Sequence, residues 1–373
     1  MAAPTIALFL PTLGGGGAER NVLRLAAGLV RAGHDVTVVA ATGAGPNNAW
    51  LPPAAEFVDL RAGRMAKAIV PLSRFLRRRR PGVLLSALDD ANIAAVAARW
   101  LAGVPVPLVI TVRIAQSAYE PYARGLRARR IIPWLVRRSY PHADAIVAVS
   151  SGAAADLADV LAIPRHRVIA IPNPVVTDRL ESLKEEPASH PWLRDIGTAP
   201  LIVAVGRLAI QKDYDLLVRA FAQVRPVIPD ARLAILGDGE QRHAIDATRV
   251  ALGLGHSVML AGFQENPYAW MRRADVLALS SRFEGLPTVL IEGLACGARI
   301  VSTDCPTGPA EILDNGRWGR LVPVGDVAGF ARALIEALAE GRWPQPPEES
   351  LHRYREEPVV RAYERVICPL MAA

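Results

Sequence analysis

Twice along this chain, a series of short apolar runs alternates with helix-like stretches. The first series places runs at residues 5–10, 35–40, 83–86, 106–111, 145–149 and 168–171. The second restarts near residue 200, at 201–205, 232–236, 258–261, 276–279, 299–303 and 320–323. Most runs are apolar throughout and do not alternate with polar residues, as expected of parallel strands buried on both faces. Residues 18–30 put Val22, Leu25, Ala26 and Leu29 on one helical face. Strand and helix in alternation imply an α/β architecture with parallel sheets. At 373 residues the chain is long enough for two such domains.

Between the two series lies Ile171-Pro-Asn-Pro and then a polar stretch rich in Glu, Lys and Pro. It places the first domain at 1–178 and the second at 179–358, with 179–200 as the linker. Hydrophobic residues make up 51% of the chain and charged residues 21%, which excludes a disordered, collagenous or disulfide-knotted protein. Cys296, Cys305 and Cys368 are scattered and odd in number. They give neither paired metal spacing nor a disulfide framework, and they suit a reducing cytoplasm. The N-terminal segment lacks a basic region and a cleavage motif, so it reads as a first strand. The most apolar stretch, 91–112, is interrupted by Asn92, Arg99, Pro105 and Pro107 and does not qualify as a spanning helix.

Charge is uneven. Residues 1–180 carry 22 Lys/Arg against 11 Asp/Glu, and the remainder 21 against 25. A basic first half and a mildly acidic second half suggest lobes that face different partners. Arg77–Arg80, then Arg124, Arg127, Arg129, Arg130, Arg137 and Arg138, interleave with Ile131, Ile132, Trp134, Leu135 and Val136. Such a stretch suits the anionic face of a membrane, and equally a solvated Arg-rich surface. No nucleic-acid motif or stacking platform accompanies it.

Four features carry chemistry. Gly14–Gly17 fall between the first strand and the first helix, where a backbone can approach an anion and helix amides can bind it; a plain turn would use the same glycines. The acidic residue that a dinucleotide site needs at the end of strand two is missing, which disfavours NAD. Gly206-Arg207 and Lys212 follow a strand end, where two cations can neutralise a pyrophosphate leaving group or simply sit on a surface. Gly237-Asp-Gly-Glu is a second strand–turn–helix junction. Finally, Ser280-Ser-Arg-Phe-Glu-Gly-Leu-Pro-Thr puts Glu284 in a loop, Pro287 at the start of a helix and Glu292 on it. By spacing alone, these glutamates are one cap and one solvated residue.

Taken in order, Gly-Gly-Ala-Glu-Arg, Gly-Arg-Leu-x3-Lys, Gly-Asp-Gly, Glu-x7-Glu and Gly297-Ala-Arg-Ile-Val-Ser-Thr-Asp resemble the family 4 retaining glycosyltransferases (glycosyl transferase group 1). Ala148-Val-Ser-Ser-Gly, Asn173-Pro-Val and Gly308-Pro-Ala-Glu-Ile-Leu extend the resemblance over nearly the whole chain. It implies the GT-B fold, two Rossmann-like doubly wound domains facing a cleft, with the C-terminal helix 359–373 packed back on the first. It implies that the second domain holds a nucleotide diphosphate sugar, UDP first among the bases, and that the first holds the acceptor.

Residue by residue, the resemblance gives Arg207 and Lys212 to the diphosphate, with Gly206 and Gly237 in the adjoining turns. It gives Glu284, Gly285, Leu286 and Pro287 to the donor sugar, Glu292 to the ribose, and Gly15, Gly16 and Gly17 to the facing loop. No metal and no bound cofactor is required. The expected reaction retains anomeric configuration and moves a hexose or N-acetylhexosamine to a glycan or lipid-linked acceptor in polysaccharide assembly, in the cytoplasm or on the inner membrane face. The family histidine after the fourth strand of the first series is absent; Val112-Arg113 stands there, and Arg113 is the candidate replacement. A GT-B nucleotide-sugar 2-epimerase and a non-catalytic membrane-surface scaffold are the alternatives.

Overall fold

The computed structural model describes the chain apart from residues 1–4, 15, 44, 123–124, 126–129, 188–189, 195–198, 341–344 and 373. It forms two compact units, Met1–Pro174 with Arg353–Ala373, and Val175–His352.

The first unit is built on β1 (Ile6–Thr12), β2 (Val36–Thr42), β3 (Glu56–Asp59), β4 (Val83–Ala87), β5 (Leu108–Val112), β6 (Ala145–Ala148) and β7 (Val168–Ala170). They form one sheet in the order β3-β2-β1-β4-β5-β6-β7. Every pairing is parallel. Successive side chains alternate between two cores. Ala7, Phe9, Val39, Leu84 and Ile110 point to one. Ile6, Leu8, Val38, Leu85 and Val109 point to the other.

The last helix, Glu356–Ala372, closes this second core with Val359, Val360, Tyr363 and Ile367. It lies on the first helix, Gly17–Arg31, where Gly28 makes room: a Cβ there would meet Val360 Cγ2 at 2.5 Å. Arg31 pairs with Glu356, and His34 Nε2 lies 2.8 Å from Glu364 Oε1. His34 thus helps to fasten the last helix to the first unit. This helix begins three residues earlier than the sequence pattern places it, because Pro358 is tolerated in a first turn.

The second unit contains β8 (Leu201–Val205), β9 (Arg232–Leu236), β10 (Val258–Gly262), β11 (Val276–Leu279), β12 (Arg299–Thr303) and β13 (Arg320–Val322). Their order is β10-β9-β8-β11-β12-β13, again all parallel. Both sheets therefore reverse direction beside their first strand, between β1 and β4 and between β8 and β11. In doubly wound sheets, ligands bind outside the carboxyl ends of the strands at such a reversal.

All twelve expected strands are present, with ends within two residues of expectation. The one the pattern missed, β3, is a four-residue edge strand with Glu56, Phe57 and Asp59 exposed. Within the expected linker, Thr177 Oγ1 accepts from Leu180 N at 3.3 Å and caps a helix, Asp178–Lys184.

Candidate active site

In the second unit, the loop after β8 and the loop after β11 meet. Lys212 Nζ lies 2.6 Å from Glu284 Oε1, and both side chains are largely buried. Ser281 Oγ donates to the same oxygen at 2.7 Å, and Gln211 Nε2 donates to Oε2 at 3.3 Å. The backbone of Glu284 is fixed on both sides: its N–H donates to Pro306 O at 2.7 Å, and its carbonyl accepts from Thr307 N at 3.1 Å. Ser280 Oγ donates to Lys212 O at 2.7 Å, Arg282 N donates to Gln211 O at 2.8 Å, and Arg282 Nε pairs with Asp213 Oδ2 at 2.8 Å. Asp213 sits at φ 47°, a strained conformation for a residue with a side chain. The two loops are thus stitched into one rigid corner.

The remaining expected residues surround it. Arg207 is exposed and has no ion-pair partner among the described residues. Gly206 N donates to Leu236 O and Leu208 N to Asp238 O, both at 2.9 Å, so the turn after β9 runs against the turn after β8. Gly285, Leu286 and Pro287 are buried. Pro287 occupies the cap position, one residue before the helix Thr288–Ala295. Glu292, on that helix, is 9% exposed and accepts from Tyr268 Oη at 3.3 Å. Gln211 and the Asp213–Arg282 pair were not foreseen; they match no motif, because the partners lie about 70 residues apart in sequence. Ser281 stands in the quoted run three residues before Glu284, but its bond to that carboxylate was not foreseen either. Tyr214 was also not foreseen. Its hydroxyl is buried without a hydrogen-bond partner among the described residues, 2.9 Å from where a Cβ on Gly206 would be. Burial, and then the charge of Glu284, push its pKa up.

Burial, then the nearby glutamate, raises two thiols beside this corner to about 12: Cys296 beside Glu292 and Cys305 beside Glu284. At pH 8 only about one part in ten thousand is thiolate, the reactive form. We expect iodoacetamide to label Cys368, which is half-buried, well before these two in the folded protein, read by mass spectrometry. Comparable labelling of all three contradicts the burial. Since the unfolded chain ionises these thiols near pH 9 and the folded chain does not, stability falls as pH rises from about 9 to about 12.

The first unit has its own crevice. Gly16 precedes the first helix with no side-chain cap. Asn47, 1% exposed, donates from Nδ2 to the carbonyls of Gly14 and Gly16 and pins the loop. Gly17 opens the helix and is exposed; Gly15 lies outside the described residues. Beside the loop, a cavity of about 750 Å³ is lined by Thr12, Thr42, Leu88, Asp89, Ile114 and Tyr119. Asp89 begins the helix Asp89–Ala102, presented by Leu88 at φ 77°. It accepts from Tyr140 Oη at 2.6 Å and from Gln116 Nε2 at 2.9 and 3.0 Å. Burial raises its pKa, against those hydrogen bonds, and Asp90 adds to the rise. Asp89 was not singled out from the sequence, although an Asp pair directly after an apolar strand was a usable signal. Arg113 follows β5 and donates from Nη1 to Asn173 Oδ1.

A sheet reversal in each unit, with a Lys–Glu corner at one and a glycine loop at the other, can be compared with known proteins. The family described as "Glycosyl transferases group 1" matches residues 199–340, and "Glycosyltransferase Family 4" matches residues 15–179. The chain belongs to the family 4 glycosyltransferases. An uncharacterised glycosyltransferase of Methanocaldococcus jannaschii is 28% identical over 255 residues, 67% of this chain and 62% of that one. An N-acetylgalactosamine-N,N'-diacetylbacillosaminyl-diphospho-undecaprenol 4-alpha-N-acetylgalactosaminyltransferase of Campylobacter jejuni is 34% identical over 209 residues, 56% of this chain and 54% of that one. The matched stretch thus spans somewhat over half the length of these two relatives. Among solved structures, Anabaena HepE in complex with UDP and glucose has a TM-score of 0.79 at 16% identity, covering 98% of this chain and 100% of that one. The GT-B fold expected from the sequence is therefore the fold of this family 4 glycosyltransferase.

The Arg-rich stretch is less uniform than its sequence suggests. Arg77 donates to the carbonyls of Leu101 and Ala102 at a helix end, and Arg79 pairs with Glu56. Arg78, Arg80, Arg130, Arg137 and Arg138 are exposed, beside Ile131 at 44% and Trp134 at 59%. Arg124, Arg127 and Arg129 lie outside the described residues. No helix among the described residues is long and apolar enough to cross a membrane.

Proposed function

We propose that this chain moves a hexose or N-acetylhexosamine from a nucleotide diphosphate sugar, with UDP as the first base to test, to a glycan or lipid-linked acceptor, with retention of configuration. The observation that carries this is the Lys212–Glu284 pair at the sheet reversal of the second unit, with Arg207 in the same loop exposed and without an ion-pair partner among the described residues. An arriving diphosphate draws Lys212 from Glu284. The ammonium and the Arg207 guanidinium then stabilise the charge that gathers as the bond from C1 to the phosphate oxygen breaks. Glu284, released from Lys212, accepts hydrogen bonds from the sugar hydroxyls, and Glu292 accepts them from the ribose diol. The acceptor oxygen bonds to C1 on the face the diphosphate leaves, and its proton passes to a phosphate oxygen. No group in this sequence of steps calls for a metal.

In this reading the acceptor binds in the first unit, and the cavity beside Asp89 is the candidate site for it. The Campylobacter jejuni relative is named for a diphospho-undecaprenol-linked sugar, which supports a lipid-linked acceptor. Exposed Trp134 and Ile131 among arginines support attachment to the cytoplasmic face of a membrane. Vesicles containing phosphatidylglycerol are expected to sediment the protein in low salt and release it in high salt, and Trp134→Ser is expected to weaken this. Absence of salt-sensitive sedimentation removes the membrane part of the proposal.

The donor site is tested by thermal stabilisation with UDP, GDP, ADP and NAD. A ligand at a hundred times its dissociation constant adds about 2.7 kcal/mol. We expect a shift with UDP that Glu292→Ala loses. A shift with NAD alone, or with none of the four, refutes the donor assignment.

A further inference from the structure

Arg113 carries a second, unused recognition edge. Its Nη1 is engaged by Asn173, but Nε and Nη2 are both buried and have no hydrogen-bond partner among the described residues. These two N–H groups form the side of the guanidinium that grips two oxygens of one carboxylate or phosphate. Leaving them dry is costly, since a buried donor without an acceptor forfeits its hydration, and a positive charge there compounds the cost. Burial accordingly lowers the pKa of Arg113, while Tyr363 and Glu19 oppose the shift. Glu19 does not fill the gap: its carboxylate lies over Gly16, where a Cβ would collide with it. The first helix begins at this same Glu19 turn, and its cap residue, Gly16, supplies no side-chain hydrogen bond.

We propose that the Nε–Nη2 edge of Arg113 is an oxyanion-binding site in the first unit, taking a phosphate or carboxylate group carried by a substrate. This rests on the transferase reading only for the molecule that brings the oxyanion. A neutral ring at this position would offer a single hydrogen bond to a sugar hydroxyl. The guanidinium instead selects for a charged group with two oxygens in one plane. Arg113 is held ready for it by Asn173, which fixes the side chain from the opposite edge.

The test uses the full chain carrying Lys212→Ala, which removes the ammonium of the second-unit site, with and without Arg113→Lys. The probes are inorganic pyrophosphate, glucuronate and, as the neutral match, glucose, each titrated against thermal stability. At least one oxyanion is expected to stabilise the parent saturably while glucose does not. Arg113→Lys, which keeps the charge but lacks the paired edge, is expected to raise the half-saturating concentration at least tenfold. A response to pyrophosphate alone assigns the oxyanion to a phosphate-bearing substrate; a response to glucuronate alone assigns it to a carboxylated sugar.

Binding of neither oxyanion, or equal binding by both proteins, overturns the proposal. The ligand-free melting temperature of Arg113→Lys is expected to stay near that of its parent. A collapse would make Arg113 a packing residue and also overturn it. UDP stabilisation of the wild type reads the second-unit site independently, so failure there and failure here are distinguishable.

Discussion

Replacing Glu284 by Ala is expected to lower sugar transfer by roughly a hundred- to a thousand-fold, the scale for losing one preorganised group at a reacting centre. The loss should fall mainly on kcat, because the carboxylate is proposed to hold the sugar as its bond to phosphate breaks. The protein should still fold. Its loop is fixed through backbone bonds to Pro306 and Thr307 and through the Gln211–Phe283 carbonyl bond, none of which uses the carboxylate. Lys212 loses its counter-ion, but its side chain is 16% exposed and can reach water, so the cost stays below that of a sealed pair. Glu284→Gln keeps the volume and one accepting oxygen and should fall between the wild type and Ala. A wild-type rate in Glu284→Ala, with circular dichroism unchanged, refutes the assignment of this corner as the donor-sugar site.

What the sequence disclosed depends on how local each signal was. Buried parallel strands announce themselves as unbroken apolar runs, so β8, β9, β11 and β12 were readable residue for residue. Strand β3 pairs on one side only and reads Glu-Phe-Val-Asp, charged at both ends and mostly exposed, so no apolar run marks it. Motif residues such as Lys212 and Glu284 were legible as a set, but nothing in their spacing says that they touch. That follows from β8 and β11 being neighbours in the sheet. The same holds for Asp89 and Tyr140, which are joined only because their elements meet beside the first-unit cavity. The arginines were misleading in the opposite sense. Read as a uniform patch, they include Arg77 and Arg79, whose guanidinium groups are already used within the fold. Arg113 was placed by resemblance as a substitute for an imidazole. Its unsatisfied edge is a property of burial, which one sequence does not express.

Replacing Gly237 by Ala is expected to damage both stability and donor binding, although residue 237 contributes no side chain. Gly237 sits at φ 133°, and an added Cβ would fall on the carbonyl of Gly206. Its N–H is committed to Gly262 O at 2.8 Å, so the turn cannot simply rotate away. The backbones after β8 and β9 must separate instead. Overpacking against main chain together with a strained dihedral costs about 3 kcal/mol. In a unit of this size that lowers the melting temperature by roughly 6–12 °C. Separation displaces Arg207 and Lys212, and a shift of about 1 Å at such groups is enough to cost on the order of a hundred-fold in rate. Gly253→Ala is the matched control: φ there is 68°, yet nothing lies within 4 Å of the new Cβ. It should lose about 1 kcal/mol from strain and bind nucleotide as the wild type does. Retention of wild-type UDP affinity in Gly237→Ala, measured by calorimetry below its melting temperature, contradicts the role of this turn in setting the two cations.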